Sequence, residues 1–247
     1  LYTYAVPQPP FIYNTLLANI GSMKNQGFEI AASYSAIRTK DIGLDISANF
    51  SYQKNEITSL SGTYNGQPLT PSAYVKLSSA SGAGQVGNND VVYMFEGQPL
   101  GVFYLPKANG LVENNGRNEY NIQDIDGEEG VNVANGKDRY IAGQAVPKYY
   151  VGGNIKFRYK AFDIQTQLNG AFGHKIFNGT ALTFNHMGNF PTYNVIEGAP
   201  ERNIYDNRVS DYWLENGNYL NIAYVTIGYN INTEKFKNWV KSIRVSA

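Results

Sequence analysis

Asp124, Asp126 and Glu128 alternate along a short stretch that also holds Gly127 and Gly130, and Asp138-Arg139 follows further on. Carboxylates at alternating positions beside a glycine are the raw material of a calcium loop, because Ca²⁺ takes several oxygen ligands and the glycine permits the sharp turn that aims them inward. The register departs from that pattern. Neither glycine falls at the sixth position counted from Asp124, and Asp138 lies beyond a loop of about 12 residues. Two readings stand side by side: a Ca²⁺ held by Asp124, Asp126, Glu128 and Asp138, or a solvated acidic segment with no ion.

Other groups carry weaker chemistry. His174 and His186 have no carboxylate or third ligand at metal spacing, and the reading is of loop histidines in ordinary solvent. Lys156, Arg158 and Lys160 fall on one face of a strand pattern, where a charged lumen-facing row is an ordinary feature of a barrel. No nucleophile, base and orienting group share a recognisable arrangement, so no enzyme is expected. The sequence has no cysteine, which removes disulfides and thiolate metal sites. Lys plus Arg and Asp plus Glu number 20 each, leaving no basic field for nucleic acid.

The elements that would position these groups are strands. Leu44, Ile46, Ala48, Phe50 and Tyr52 alternate with Asp45, Ser47, Asn49, Ser51 and Gln53. Phe162–Asn169 and Val151–Lys160 repeat the pattern, while Phe28–Ala36 and Ile243–Ala247 carry it more weakly. Tyr219–Ile231 has Val225, Ile227, Tyr229 and Ile231 on one face and mixes Leu220, Ile222 and Tyr224 with polar residues on the other. Strands of about ten residues, tilted near 45°, rise roughly 23 Å, the height of an outer-membrane apolar band. Aromatic residues make up 14% of the chain, and Tyr34, Tyr52, Tyr159, Tyr219 and Tyr229 fall near strand ends, where an interfacial girdle would place them. Trp213 and Trp239 flank strands and read as interfacial anchors. The mean hydropathy of −0.36 does not oppose a membrane site, since barrel strands expose a polar face to the lumen.

Connections alternate short, long, short, long, short. Thr39–Gly43, Lys160–Ala161 and Asn232–Lys241 are brief, whereas 54–148 and 173–218 are long. Outer-membrane barrels sort their loops this way, with short periplasmic turns and long extracellular loops. The expected fold is therefore all-β: residues 1–247 as one segment of a partial transmembrane antiparallel β-barrel, with 54–148 and 173–218 as extracellular loops. Six strands are too few to close a barrel, and further strands are expected beside them. The aromatics Tyr93, Phe95, Phe103 and Tyr104 in the first long loop read as loop packing, with stacking on a ligand as the alternative.

Four ordered segments then give a resemblance. Asn19-Ile20-Gly21-Ser22-Met23-Lys24-Asn25-Gln26-Gly27-Phe28-Glu29, Glu96-Gly97-Gln98-Pro99-Leu100-Gly101-Val102-Phe103-Tyr104, Val146-Pro147-Lys148-Tyr149 with Tyr159-Lys160-Ala161-Phe162-Asp163, and Asp211-Tyr212-Trp213-Leu214-Glu215-Asn216-Gly217-Asn218-Tyr219-Leu220 resemble the C-terminal barrel portion of SusC/RagA-type TonB-dependent outer-membrane transporters. The chain departs at Asn221, where the family has arginine. Several consequences are implied by the resemblance alone. They are late strands of a 22-stranded barrel, an outer-membrane location, import of glycans or oligopeptides, a SusD-like surface lipoprotein as partner, and energisation by the TonB complex through a plug and TonB box not present in this chain. The acidic segment at Asp124 resembles a calcium-loop-like stretch of the same family; otherwise no cofactor is expected. The rival reading is a secreted, soluble β-sandwich that binds glycans as an adhesin module.

Overall fold

The computed structural model describes residues 2–19, 21–69, 73–80, 90–128, 130–133, 137–188, 190–234 and 239–247. Ile20 of the first motif and residues 235–238 of the last short connection lie outside the described residues. In chain order the strands are β1 (Tyr2–Ala5), β2 (Thr15–Ala18), β3 (Ser22–Arg38), β4 (Ile42–Ser59), β5 (Gly62–Tyr64), β6 (Gln67–Leu69), β7 (Val75–Ser79), β8 (Asp90–Met94) and β9 (Val102–Pro106). There follow β10 (Ala108–Asn114), β11 (Arg117–Ile122), β12 (Arg139–Gln144), β13 (Tyr149–Tyr159), β14 (Phe162–Phe172) and β15 (Lys175–Phe177). Helices α1 (Gly179–Phe184) and α2 (Ala199–Arg202) precede β16 (Leu214–Asn216), β17 (Tyr219–Ile231) and β18 (Ile243–Ser246). Among the described residues no helix is long and apolar enough to cross a membrane. The chain divides into two compact units, each described by itself.

One unit comprises 26–53, 147–173 and 217–247. Its strands belong to a six-stranded sheet in the order β18-β17-β14-β13-β4-β3. Opposed residues share a face, so the registers fix which side chains go together. Ile155 stands between Ile46 and Thr166, Phe157 between Leu44 and Ile164, and Tyr159 between Ile42 and Phe162. The partners of Asn154, Lys156 and Arg158 on the other face are Ser47, Asp45 and Gly43 on β4, and Gln167, Gln165 and Asp163 on β14.

β17 explains its own mixed pattern. Gln167 opposes Tyr224 but Leu168 opposes Ile222, so Ala223 is an extra residue and the strand bulges there. One additional residue exchanges the faces of everything beyond it. Leu220 and Ile222 therefore join Val225, Ile227 and Tyr229 on the apolar side, while Tyr224 accepts a hydrogen bond from Gln165 Nε2 at 2.9 Å on the polar side.

The short turns are tied together. Lys160 opens the two-residue β13–β14 hairpin with φ of 52°, and its N–H donates to the Asp41 carbonyl at 2.6 Å. The Arg158 guanidinium donates to the carbonyls of Lys40 and Thr39, both at 3.1 Å. The β3–β4 and β13–β14 turns thus share one end of the sheet, as the loop sorting requires.

The other unit comprises 1–25, 54–146 and 174–216. Among the described residues the first long connection holds eight strands, β5 to β12, and the second holds β15, β16 and both helices. Asn65-Gly66 and Asn115-Gly116 close two hairpins, with φ of 49° and 77° and of 51° and 74°, the left-handed pair that a two-residue turn needs. Strands β12-β9-β8-β7 form a four-stranded sheet. Phe103, Leu105, Tyr120, Ile122, Leu182, Ile204, Val209 and Trp213 bury one core, in which Leu105, Leu182 and Ile204 are 0% exposed. The two long connections thus carry a core of their own.

Candidate functional site

The acidic segment follows β11. Asp124, Asp126 and Asp138 each offer a carboxylate oxygen, and the three oxygens lie within 4.8 Å of one another. Local turns do the gathering. Asp124 Oδ1 accepts the Gly127 N–H at 2.8 Å, and Asp126 Oδ1 accepts the Glu128 N–H at 3.0 Å, so both short side chains fold back on their own backbone. Asp138 enters from the start of β12, where its φ is 50°, and it is 2% exposed. Its Oδ2 accepts from Asn132 N–H at 2.6 Å and its Oδ1 from Ile125 N–H at 2.6 Å. Those backbone donors, Asn132 foremost and then Ile125, hold the Asp138 carboxyl below its ordinary value, against the opposing effect of burial.

Glu128 is placed differently from its three partners. Its carboxylate pairs with the Lys137 ammonium and is not one of the gathered oxygens. Three carboxylates converging without a cation repel one another, and a hard divalent ion is the chemistry that relieves this. The oxygen-only donor set suits calcium; soft or tetrahedral metals would want nitrogen or sulfur. Backbone donors already occupy part of the Asp138 carboxylate, which leaves its remaining lone pairs for an ion.

The histidines and tryptophans do not match their sequence reading uniformly. His186 is 3% exposed, with Nδ1 accepting the Gly188 N–H at 3.1 Å and burial lowering its pKa. It is a core residue and not a solvated one. Trp213 is likewise a core residue at 4% exposure, stacked edge-on to Tyr212 and Tyr120, which corrects its reading as an interfacial anchor. Trp239, at 93%, is open to its surroundings. Tyr93 and Phe103 are buried, and Tyr93, Phe95 and Tyr104 pack with Tyr74 at ring separations of 5.0–6.2 Å. Loop packing is their observed role.

The six-stranded sheet presents the second functional surface. Phe28, Ile164, Val225 and Ile227 are 43–55% exposed on its apolar face. Aromatic rings mark two ends of that face: Phe28, Phe50, Tyr52 and Tyr149 at one, with centroids 5.4–6.0 Å apart, and Phe162 against Tyr229 at 4.6 Å at the other. On the polar face Asp163 of β14 pairs with Arg244 of β18 at 2.5 Å. The pair spans β17 because Gly228 lies beneath it, where a Cβ would stand 2.3 Å from Arg244 Nη2. Lys156 stands opposite Asp45, which accepts a hydrogen bond from Ser35 Oγ at 2.6 Å.

A sheet whose five longer strands run 11 to 18 residues beside the short edge strand β18, apolar on one side and polar on the other, is a wall segment of an outer-membrane β-barrel. No family model matches the sequence. The chain is 23% identical over 237 residues to TonB-dependent receptor P3 of Formosa agariphila, covering 87% of this chain and 22% of that protein. It is 25% identical over 224 residues to TonB-dependent receptor SusC of Bacteroides thetaiotaomicron, covering 86% of this chain and 21% of that protein. Among solved structures it resembles the RagAB peptide transporter, with a TM-score of 0.72 and 19% identity over 98% of this chain and 26% of the other. The RagAB peptide importer in its "open-open" state gives a TM-score of 0.62. The chain thus spans about a fifth of the length of the curated relatives it matches, and the resemblance read from its motifs is to receptors and transporters of the SusC and RagA kind.

Proposed function

We propose that this chain forms late wall strands and extracellular loops of a TonB-dependent nutrient importer, which moves glycans or oligopeptides across the outer membrane with a SusD-like lipoprotein at its mouth. One observation carries the reading: the apolar face stays unbroken across the sheet, even where Ala223 adds a residue. A soluble sandwich would bury such a face under a second sheet. The unit containing it has a single sheet among its described residues. The solved neighbours are named for peptide transport, which supports an oligopeptide cargo. Residues 54–148 and 173–218 supply the surface for the lipoprotein, with Phe190, Tyr193 and Ile196 exposed in the second of them. Affinity purification of the full-length barrel from its native host in mild detergent is expected to recover a surface lipoprotein in near-equal amount. Repeated recovery of the barrel without one, from cells expressing both, would count against the partnership.

The acidic cluster serves this reading as a clasp. We propose that Asp124, Asp126 and Asp138 hold Ca²⁺ and that Glu128 reaches the ion only by leaving Lys137. Calorimetric titration of the full-length protein is expected to show saturable calcium binding that Asp126→Ala weakens; a flat titration at millimolar calcium would leave the solvated segment. The pH dependence has a definite sign. A carboxyl whose folded pKa is depressed stabilises the folded state fully above its unfolded value of 3.8 and loses that contribution as pH falls through the lower folded value. Amide-exchange protection at Ile125 and Asn132 is therefore expected to hold at pH 5 and to fail on acidification below about pH 4.

A further inference from the structure

Within the loop-derived unit a cleft of about 530 Å³ is lined by apolar Val91, Phe103 and Phe177 and by polar His174, Lys175 and Thr180. That volume lies in the range of small-ligand sites, and no carboxylate is among its lining residues. Two of its polar groups lack partners. Lys175 makes no ion pair or hydrogen bond among the described residues, and His174 Nδ1 is closed off from solvent with nothing to bond to.

The placement of Lys175 is built into two strands. Along β15, Lys175 and Phe177 share one face and Ile176 points the other way, 52% exposed. Opposite the lysine, β12 shifts register between Ile141 and Gly143, and a Cβ at Gly143 would lie 2.8 Å from Lys175 Cγ. The glycine leaves room for the lysine stem. The cleft thus sets a cation with no counter-charge among its lining residues beside an apolar wall.

We propose that this cleft binds a small organic carboxylate with an apolar body, its anionic end at Lys175 and its apolar end against Val91, Phe103 and Phe177. A carboxylate supplies the acceptor oxygens that the ammonium lacks, in a charge-assisted bond stronger than a neutral one. An inorganic anion would leave the apolar wall unused, and a neutral sugar would leave the cation uncompensated. The carboxylate could come from the end of an apolar peptide or from an acidic sugar, and the inference does not depend on the importer reading.

The test is calorimetry on the full-length protein in detergent, with N-acetyl-leucine as probe and N-acetyl-leucinamide, sodium glucuronate and inorganic phosphate as comparators. N-acetyl-leucine is expected to bind saturably, with the amide weaker by about tenfold or more, the loss that goes with one charged hydrogen bond. Lys175→Met and Gly143→Ala are each expected to weaken the acid, and Lys107→Met, outside the cleft, to leave it unchanged. Tighter binding of glucuronate would support the site and identify an acidic sugar as its source. Equal binding of acid and amide to the native protein would overturn the proposal, as would phosphate competing as well as the acid or no saturation at all. Should Lys175→Met fail to fold, the acid and amide comparison decides alone.

Discussion

Leu168→Arg in the full-length protein is expected to cost about 2–4 kcal/mol in a reversible folding titration, the penalty for a cationic side chain near the bilayer midplane. Its neighbour Gln167→Arg is expected to fold as the native protein does. The two positions are adjacent in sequence and lie on opposite faces: Leu168 stands between Gly153 and Ile222, while Gln167 stands between Asn154 and Tyr224. Propensity and strand position are nearly the same for both, so the difference isolates what each face meets. Equal losses would show that the apolar face does not meet lipid.

Leu105→Ala is the corresponding expectation for the loop-derived unit. Leu105 lies on β9 with no exposed surface, in the core that also takes in Leu182 and Ile204. Truncation removes the transfer energy of the lost carbons and leaves a void that close-packed neighbours fill only in part, a cost of about 2–5 kcal/mol. Faster amide exchange is expected at Tyr104 and Tyr140, which flank Leu105 along and across the β9–β12 ladder, while amides of β13 and β14 keep their protection. Exchange rising equally throughout the chain would show instead that the loops have no stability of their own.

The wall was legible because its determinants are local. Alternation in Leu44–Gln53 and Phe162–Asn169 reports a face directly, and the registers bear this out. Tyr219–Ile231 was only partly legible, although its signal was present: Leu220 and Ile222 fall on even positions, Val225 to Ile231 on odd ones, and such a parity change marks a bulge. β4 runs on to Ser59 beyond the end of the apolar pattern, since backbone hydrogen bonds continue where a face becomes polar. The loop core was illegible for a different reason. Strands of three to seven residues are too short to display a period, and Trp213 and His186 are buried by segments distant in sequence, such as the one carrying Tyr120. For the acidic cluster, alternation found Asp124 and Asp126, whose turns are local. It also included Glu128, because spacing does not reveal that Lys137 holds that carboxylate.

The extra residue at Ala223 also bears on how this wall can change its length. In a two-sided ladder, removing one residue turns every later side chain over, so a deletion in β13 or β14 would send apolar side chains to the polar face and polar ones to the apolar face. Ala223 is the exception. Without it, Leu220, Ile222, Val225, Ile227 and Tyr229 would alternate without interruption and keep their present side, and only the local coiling of the strand would relax. A family of such chains can thus gain or lose a residue at this point as a change of curvature, whereas elsewhere in the wall the same event rewrites its solvent.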